Sequence, residues 1–508
     1  MSDELSPLPA EQPEEDAGYP RGRYVSLLVV LALLMILIGA ARFILPSHAG
    51  KQSTERETMQ ADLSMKAYFV TEYSTSINPP NSSIEPRLFP ANRGKKKQDL
   101  RQEAIKYYLR AVEKDPSARN IRRLIIVETA ANRGMAIRRF DNVSRADTES
   151  GSKRIDYSAE VSMWRAIYES HDKLSTSDVA KYESRINKLD LRWYRKLALA
   201  DLYDRAGMKD KASGERRSAA TDAALAVIPL GLMMMGLMCV ILIGVVLDVY
   251  YLAKKRSGWP GAPSDLVSLP QAERSRVSGL LLEVFVVYIL VFIGSQIVFG
   301  MFAGLAAKAG LLHANSTSLV ILELFMYVGW GLISLLYLVY RLRGTGRSLA
   351  DLGLKSHDLW RDIRWGIAGY MAGFPVVLAA GLISQKLTGS FKTPPNPVES
   401  LTVMNDSWLA RLVLFLLLAV AAPFFEELFF RGVLLNSLRA RWALAVAILA
   451  SGVVFAAVHP LPLGFLPILT LGSVFSVLFY QRGSLIPNMI AHCLHNSMIF
   501  VLMTLISS

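Results

Sequence analysis

Uncharged apolar runs of about twenty residues recur along this chain, and a run of that kind is stable only where lipid takes the place of water. Nine stretches qualify: 24–45, 223–252, 279–305, 318–340, 365–387, 408–438, 442–458, 464–480 and 485–506. They alternate with strongly charged segments, and hydrophobic residues make up 52% of the 508. The expected fold is therefore all-α, a polytopic membrane protein of about nine transmembrane helices. Two cysteines, Cys239 and Cys493, both within apolar runs, exclude a disulfide framework and a Cys-x-x-Cys metal knuckle.

The net charge of +13 does not signal nucleic acid, because the basic residues of the apolar half cluster in short loops beside the spans. Lys254, Lys255, Arg256, Arg274 and Arg276 mark one such loop, and Arg341, Arg343, Arg347, Arg439, Arg441 and Arg482 mark others in alternation. The positive-inside rule then puts these loops and the N-terminus in the cytoplasm. With no organelle address evident, a bacterial plasma membrane is expected.

Five regions follow. Residues 1–23 form an acidic, proline-containing tail expected to be disordered, and 24–45 an uncleaved anchor. Residues 46–220 are charged and helical in pattern, an inserted domain on the extracytoplasmic side. Residues 223–345 return to the membrane, and 348–508 form the last region. Within the inserted domain, Ala104, Tyr108, Ala111 and Pro116 fit the second helix of a tetratricopeptide repeat. Ala200, Tyr203, Gly207, Ala212 and Ala219 fit a first helix and its turn. This domain is the expected place for a protein partner. The Lys95-Lys96-Lys97 run reads as a solvated loop.

Ionisable residues inside a span cost roughly 2.5–3.5 kcal/mol each on insertion scales. The run PFFEELFFRG nevertheless holds Glu426, Glu427 and Arg431 within six positions. Glu427 and Arg431 are four apart on a helix and able to pair, which leaves Glu426, rotated about 100° away, as the less neutralised carboxylate. The next span ends in FAAVHP with Phe455 and His459, and the last carries HCLHN with His492, His495 and Asn496. His492 and Asn496, four apart, share a face. A tight turn at Ala440 and Arg441 brings Glu426 and His459 to depths a few ångströms apart at about 1.5 Å per residue.

Two chemistries suit such a set. Glu426 takes a proton from water held by His459, while His492 and Asn496 donate to the oxyanion of a tetrahedral intermediate. In the other, Glu426, His459 and His492 are two-His-one-carboxylate ligands of a zinc ion. The usual His-Glu-x-x-His helix is absent. His495 falls off the pattern, Ala450-Ser451-Gly452 lacks the leading glycine of a rhomboid serine motif, and no Gly-x-Gly-Asp motif occurs.

The order Glu-Glu-x-x-x-Arg, Phe-x-x-x-His, His-x-x-x-Asn over consecutive late spans resembles the CAAX-protease and bacteriocin-processing family, also called Abi. The likeness covers about 348–508, opening with the SLADLGL segment. It implies an intramembrane endopeptidase acting on a membrane-associated protein, with Glu426 activating water, His459 as its partner, His492 and Asn496 at the oxyanion, and Glu427 and Arg431 in support. A non-catalytic scaffold or bacteriocin-immunity protein of the same family and a proton-coupled transporter are the competing classes. The intact motifs speak against the scaffold and the lack of inverted repeats against the transporter.

Overall fold

The structure is a computed structural model that describes residues 20–44, 49–77, 93–146, 157–170, 172–254, 268–309, 317–356, 358–388, 407–459 and 464–507. Among these residues every regular element is helical. The N-terminal tail lies outside them, as do the side chains of Lys95, Lys96 and Lys97. The chain divides into two compact units, residues 1–46 with 238–501 and residues 47–237 with 502–508.

The second unit holds α2 (Ala49–Ile77), α3 (Arg93–Lys114), α4 (Ala118–Val127), α5 (Ala130–Ala146), α6 (Ser158–Tyr168), α7 (Thr176–Lys188), α8 (Tyr194–Arg205) and the start of α9 (Lys209–Lys254). Its core is continuous and includes Ala104, Tyr108, Trp164, Tyr194, Tyr203 and Ala212. The alanines and tyrosines among the repeat-like positions are buried, Ala111 and Ala219 included, whereas Pro116 is exposed and Gly207 makes the exposed turn between α8 and α9 with φ +75°. A polar knot runs through this core. Asp62 accepts hydrogen bonds from the Tyr108 hydroxyl and from Arg123, which is 5% exposed.

Unit one is the membrane bundle. It contains α1 (Arg21–Ile44), the later part of α9, α10 (Gln271–Lys308), α11 (Thr317–Arg343), α12 (Leu359–Thr388), α13 (Trp408–Arg439), α14 (Leu444–Val458), α15 (Phe465–Arg482) and α16 (Ile486–Ser507). Among the described residues, eight helices are long and apolar enough to cross a bilayer. The ninth expected span, α14, is shorter at 15 residues. It stops because His459 precedes a proline, which disfavours the helical conformation; His459 sits at φ −87°, ψ 136°. Leu336, Phe325, Ile333 and Leu242 stand more than half exposed, an outer surface suited to lipid rather than water. Trp360 and Trp442 mark the arginine-bearing end of the bundle and Trp408 the opposite end, as in an interfacial aromatic belt.

Helix α13 is the bundle's centre. Leu428, Phe429, Phe430, Val433, Leu434 and Leu435 are all within 1% of complete burial. Phe429 stacks on Tyr288 of α10 at 4.0 Å, and Phe430 meets Phe285 edge-on at 5.2 Å. Glu283 of α10 ties the neighbours together, accepting from Arg23 of α1 at 3.3 Å and from Tyr337 of α11 at 2.9 Å. Two π-helical segments, Leu417–Ala421 and Leu428–Leu435, interrupt α13. Pro423 explains the first: it has no N–H and its ring crowds the preceding turn, which widening relieves.

Candidate active site

The glutamate pair divides its labour as the helical spacing predicts. Glu427 is wholly buried and fully engaged. Its Oε1 accepts from Arg431 Nη1 and from His492 Nδ1, each at 2.9 Å, and its Oε2 accepts from Asn488 Nδ2 at 3.3 Å. Arg431 is equally buried, donates its Nη2 to the Gly472 carbonyl at 3.0 Å and lies between the rings of Phe455 and Phe475, 4.5 and 5.2 Å from their centroids. A charge pair so removed from water persists only when its remaining groups are largely satisfied; the carbonyl, amide and rings meet most of that need, and Arg431 Nε alone of the guanidinium nitrogens has no hydrogen-bond partner among the described residues. Gly472 can serve because its Cα lies against Gly452 of α14, where a Cβ would stand 3.2 Å from that backbone.

Glu426 is the opposite case. Its side chain is 16% exposed, Oε1 accepts from the Tyr327 hydroxyl at 3.2 Å, and Oε2 has no partner. His492 Nε2 stands 3.8 Å from that oxygen. The separation is too long for a direct bond and suits a water seated on both groups. Because Nδ1 donates to Glu427, Nε2 is the ring nitrogen that faces Glu426; the second glutamate sets the orientation of the histidine that meets the first.

His459 closes α14. Its Nδ1 donates to the Phe455 carbonyl at 2.7 Å and its ring leans on Phe455 at 4.7 Å. Phe455 also lies 6.1 Å from His492, so one aromatic side chain spaces the two imidazoles. Asn496 donates Nδ2 to the Leu418 carbonyl, in the first π-helical segment, at 2.7 Å; its second N–H is not used by that bond. Residues from α13, α14 and α16 that are distant in sequence are thus brought into one neighbourhood. His495 is turned away toward Tyr370, 6.0 Å between rings, and Ser451 is wholly buried, with its hydroxyl oxygen unpartnered.

Two participants lie outside the three motifs. Asn488 extends the stripe of His492 and Asn496 by one turn, so the same period of four pointed to it; besides Glu427 it donates to the Phe475 carbonyl at 2.5 Å. Tyr327 on α11, 99 residues from Glu426, carries no local sign of its role.

Among the described residues no group of three His, Cys, Asp or Glu is placed to hold a metal ion. His492 and His459 each anchor Nδ1, on Glu427 and on the Phe455 carbonyl, an arrangement that metal-ligating imidazoles also use, so those bonds do not decide against zinc. What speaks against the zinc set is the spacing, because Glu426, His459 and His492 are not gathered into one such group.

Helices α13, α14 and α16 position the glutamate, histidine and asparagine residues of the three motifs. Residues 407–498 match the family model described as type II CAAX prenyl endopeptidase Rce1-like, in agreement with the motif resemblance. No curated protein and no solved structure matches the chain.

Proposed function

We propose that this protein is an intramembrane endopeptidase that hydrolyses a peptide bond of a membrane-associated protein. The observation that carries the proposal is the unpartnered Glu426 Oε2, held 3.8 Å from His492 Nε2 beside a glutamate whose own bonds are complete. An unsatisfied carboxylate oxygen inside a bundle is costly and calls for an explanation; a nucleophilic water explains it. Glu426 removes a proton as the water oxygen adds to the scissile carbonyl carbon. Asn496 donates to the resulting oxyanion through its second N–H, while His492, whose ring proton sits on Nδ1, accepts from the water through Nε2. When the C–N bond breaks, Glu426 returns the proton to the leaving amine.

In this reading the arginine-bearing loops and the N-terminus are cytoplasmic, the membrane is bacterial, and the domain of residues 46–220 recruits or orients the protein substrate. The test is cleavage of a panel of membrane-bound proteins by the full chain in liposomes, wild type against Glu426→Ala. Cleavage by the wild type alone supports the proposal. Cleavage by both removes Glu426 from the mechanism, and cleavage by neither favours the scaffold.

A further inference from the structure

A second concave site lies in the membrane bundle, away from the glutamates. It is a groove of about 740 Å³ between the later part of α9, α12 and α15, a volume within the range of ligand sites. Its two ends differ in chemistry. Toward the middle of the helices the walls are small or apolar, with Ala372, Val376, Val474 and Val477. At the arginine-bearing end stand Arg361, Arg364 and Gln481.

The charges at that end are not equivalent. Arg482 is paired with Asp362 at 2.9 Å, and Asp362 also takes the Ser356 hydroxyl at 2.7 Å. Arg361 and Arg364 lie on either side of Asp362 in sequence, yet both are exposed and, among the described residues, neither guanidinium bonds a carboxylate. Among the described residues that line the groove, Asp248 of α9 is the acidic one. Two forked cations above an apolar trough match one amphiphile, a doubly oxygenated anion carried on a hydrocarbon chain.

We infer that this groove binds an anionic phospholipid from the leaflet on the arginine-bearing side, its phosphate on Arg361 and Arg364 and an acyl chain along Ala372, Val376 and Val474. Basic pockets between membrane helices at such an interface select acidic headgroups in this way. The site reaches the peptidase core through α15: Val474 lines the groove, and the adjacent Phe475 ring stands 5.2 Å from the His492 ring. Occupancy therefore buttresses the helix that walls the catalytic histidine. The inference does not depend on proteolysis, and its test is run in the Glu426→Ala background as well as in wild type.

The experiment is native mass spectrometry of the full chain extracted from vesicles of equal phosphatidylglycerol and phosphatidylcholine, counting retained lipid. Phosphatidylglycerol is expected to be retained over phosphatidylcholine, and the double variant Arg361→Gln/Arg364→Gln to lower that preference about thirtyfold, at about fivefold per arginine. Val376→Trp, which places bulk in the trough from a half-exposed position, is expected to abolish retention of both lipids, and Asp248→Asn to increase that of phosphatidylglycerol. Equal retention of the two lipids by the wild type overturns the inference, as does a preference unchanged in the double variant. Retention of a lipidated peptide, but of no phospholipid, in a manner sensitive to Val376→Trp also overturns it.

Discussion

His492 donates Nδ1 to Glu427 at 2.9 Å while presenting Nε2 to Glu426 at 3.8 Å, so a single imidazole bridges two adjacent glutamates with different tasks. One contact is a hydrogen bond within a buried network; the other is a gap beside a partly exposed carboxylate. Substitutions at the two glutamates should therefore fail in different ways.

Glu426→Gln keeps the shape of the site and removes the base. Cleavage is expected to fall by at least 10²- to 10⁴-fold, with thermal unfolding in detergent unchanged, because this carboxylate holds no buried cation. Glu427→Gln strands Arg431 without its counter-charge, and breaking one side of a buried pair costs about 3–5 kcal/mol. The second variant should lose folded protein along with activity. Equal unfolding temperatures for the two would remove the distinction.

Tyr327→Phe deletes the donor to Glu426 Oε1 and nothing else in that contact. A hydrogen bond to a charged group is worth about 1.5–3 kcal/mol, so kcat should fall by roughly ten- to a hundredfold with KM little changed. A loss confined to KM would place Tyr327 in substrate binding instead.

The three motifs and the apolar spans were legible because both express short-range geometry: a period near 3.6 puts Glu427 with Arg431 and His492 with Asn496, and a twenty-residue run can only cross lipid. Asn488 obeyed the same period and was legible in principle. Tyr327 was not, since its meeting with Glu426 depends on how α11 packs against α13, which no local pattern encodes. Helix α14 ends where its apolar run ends, at Val458, and is the shortest of the expected spans because the run between the Arg441 turn and the His-Pro step leaves room for only 15 helical residues. The π-helical segments had a sign in Pro423, although a proline announces only that a helix must adjust and not by which device.

The SLADLGL segment seats α16. Gly353 accepts from the Leu485 N–H at 2.8 Å, and Lys355 from the Ser484 hydroxyl at 2.6 Å, immediately before α16 begins. Gly353 has φ +98°, and a Cβ there would lie 2.5 Å from the Phe479 ring. Gly353→Ala therefore combines a strained backbone with a clash, costing of order 1–3 kcal/mol. It should lower both the unfolding temperature and cleavage, although the residue touches no reacting group. Retention of both at wild-type levels would show that the turn does not position α16.

Asp351 gives the same turn a pH dependence. Its carboxylate accepts from the Ser348 N–H at 2.7 Å and the Ser348 hydroxyl at 3.0 Å. Hydrogen bonds from the Ser348 backbone, first among the causes, favour the charged form and hold the group below the usual carboxylate range. Because the folded value is the lower one, the unfolded turn binds the proton more readily. The stabilisation is complete above the ordinary aspartate value of about 4 and is lost as pH falls through the depressed folded value. Hydrogen exchange of the 348–354 amides in the full chain, with rates corrected for intrinsic pH dependence, should show protection that declines as pH drops below about 4. In Asp351→Asn that decline should be absent and protection lower at neutral pH. An Asn variant that keeps the wild-type pH profile would assign the decline to another group.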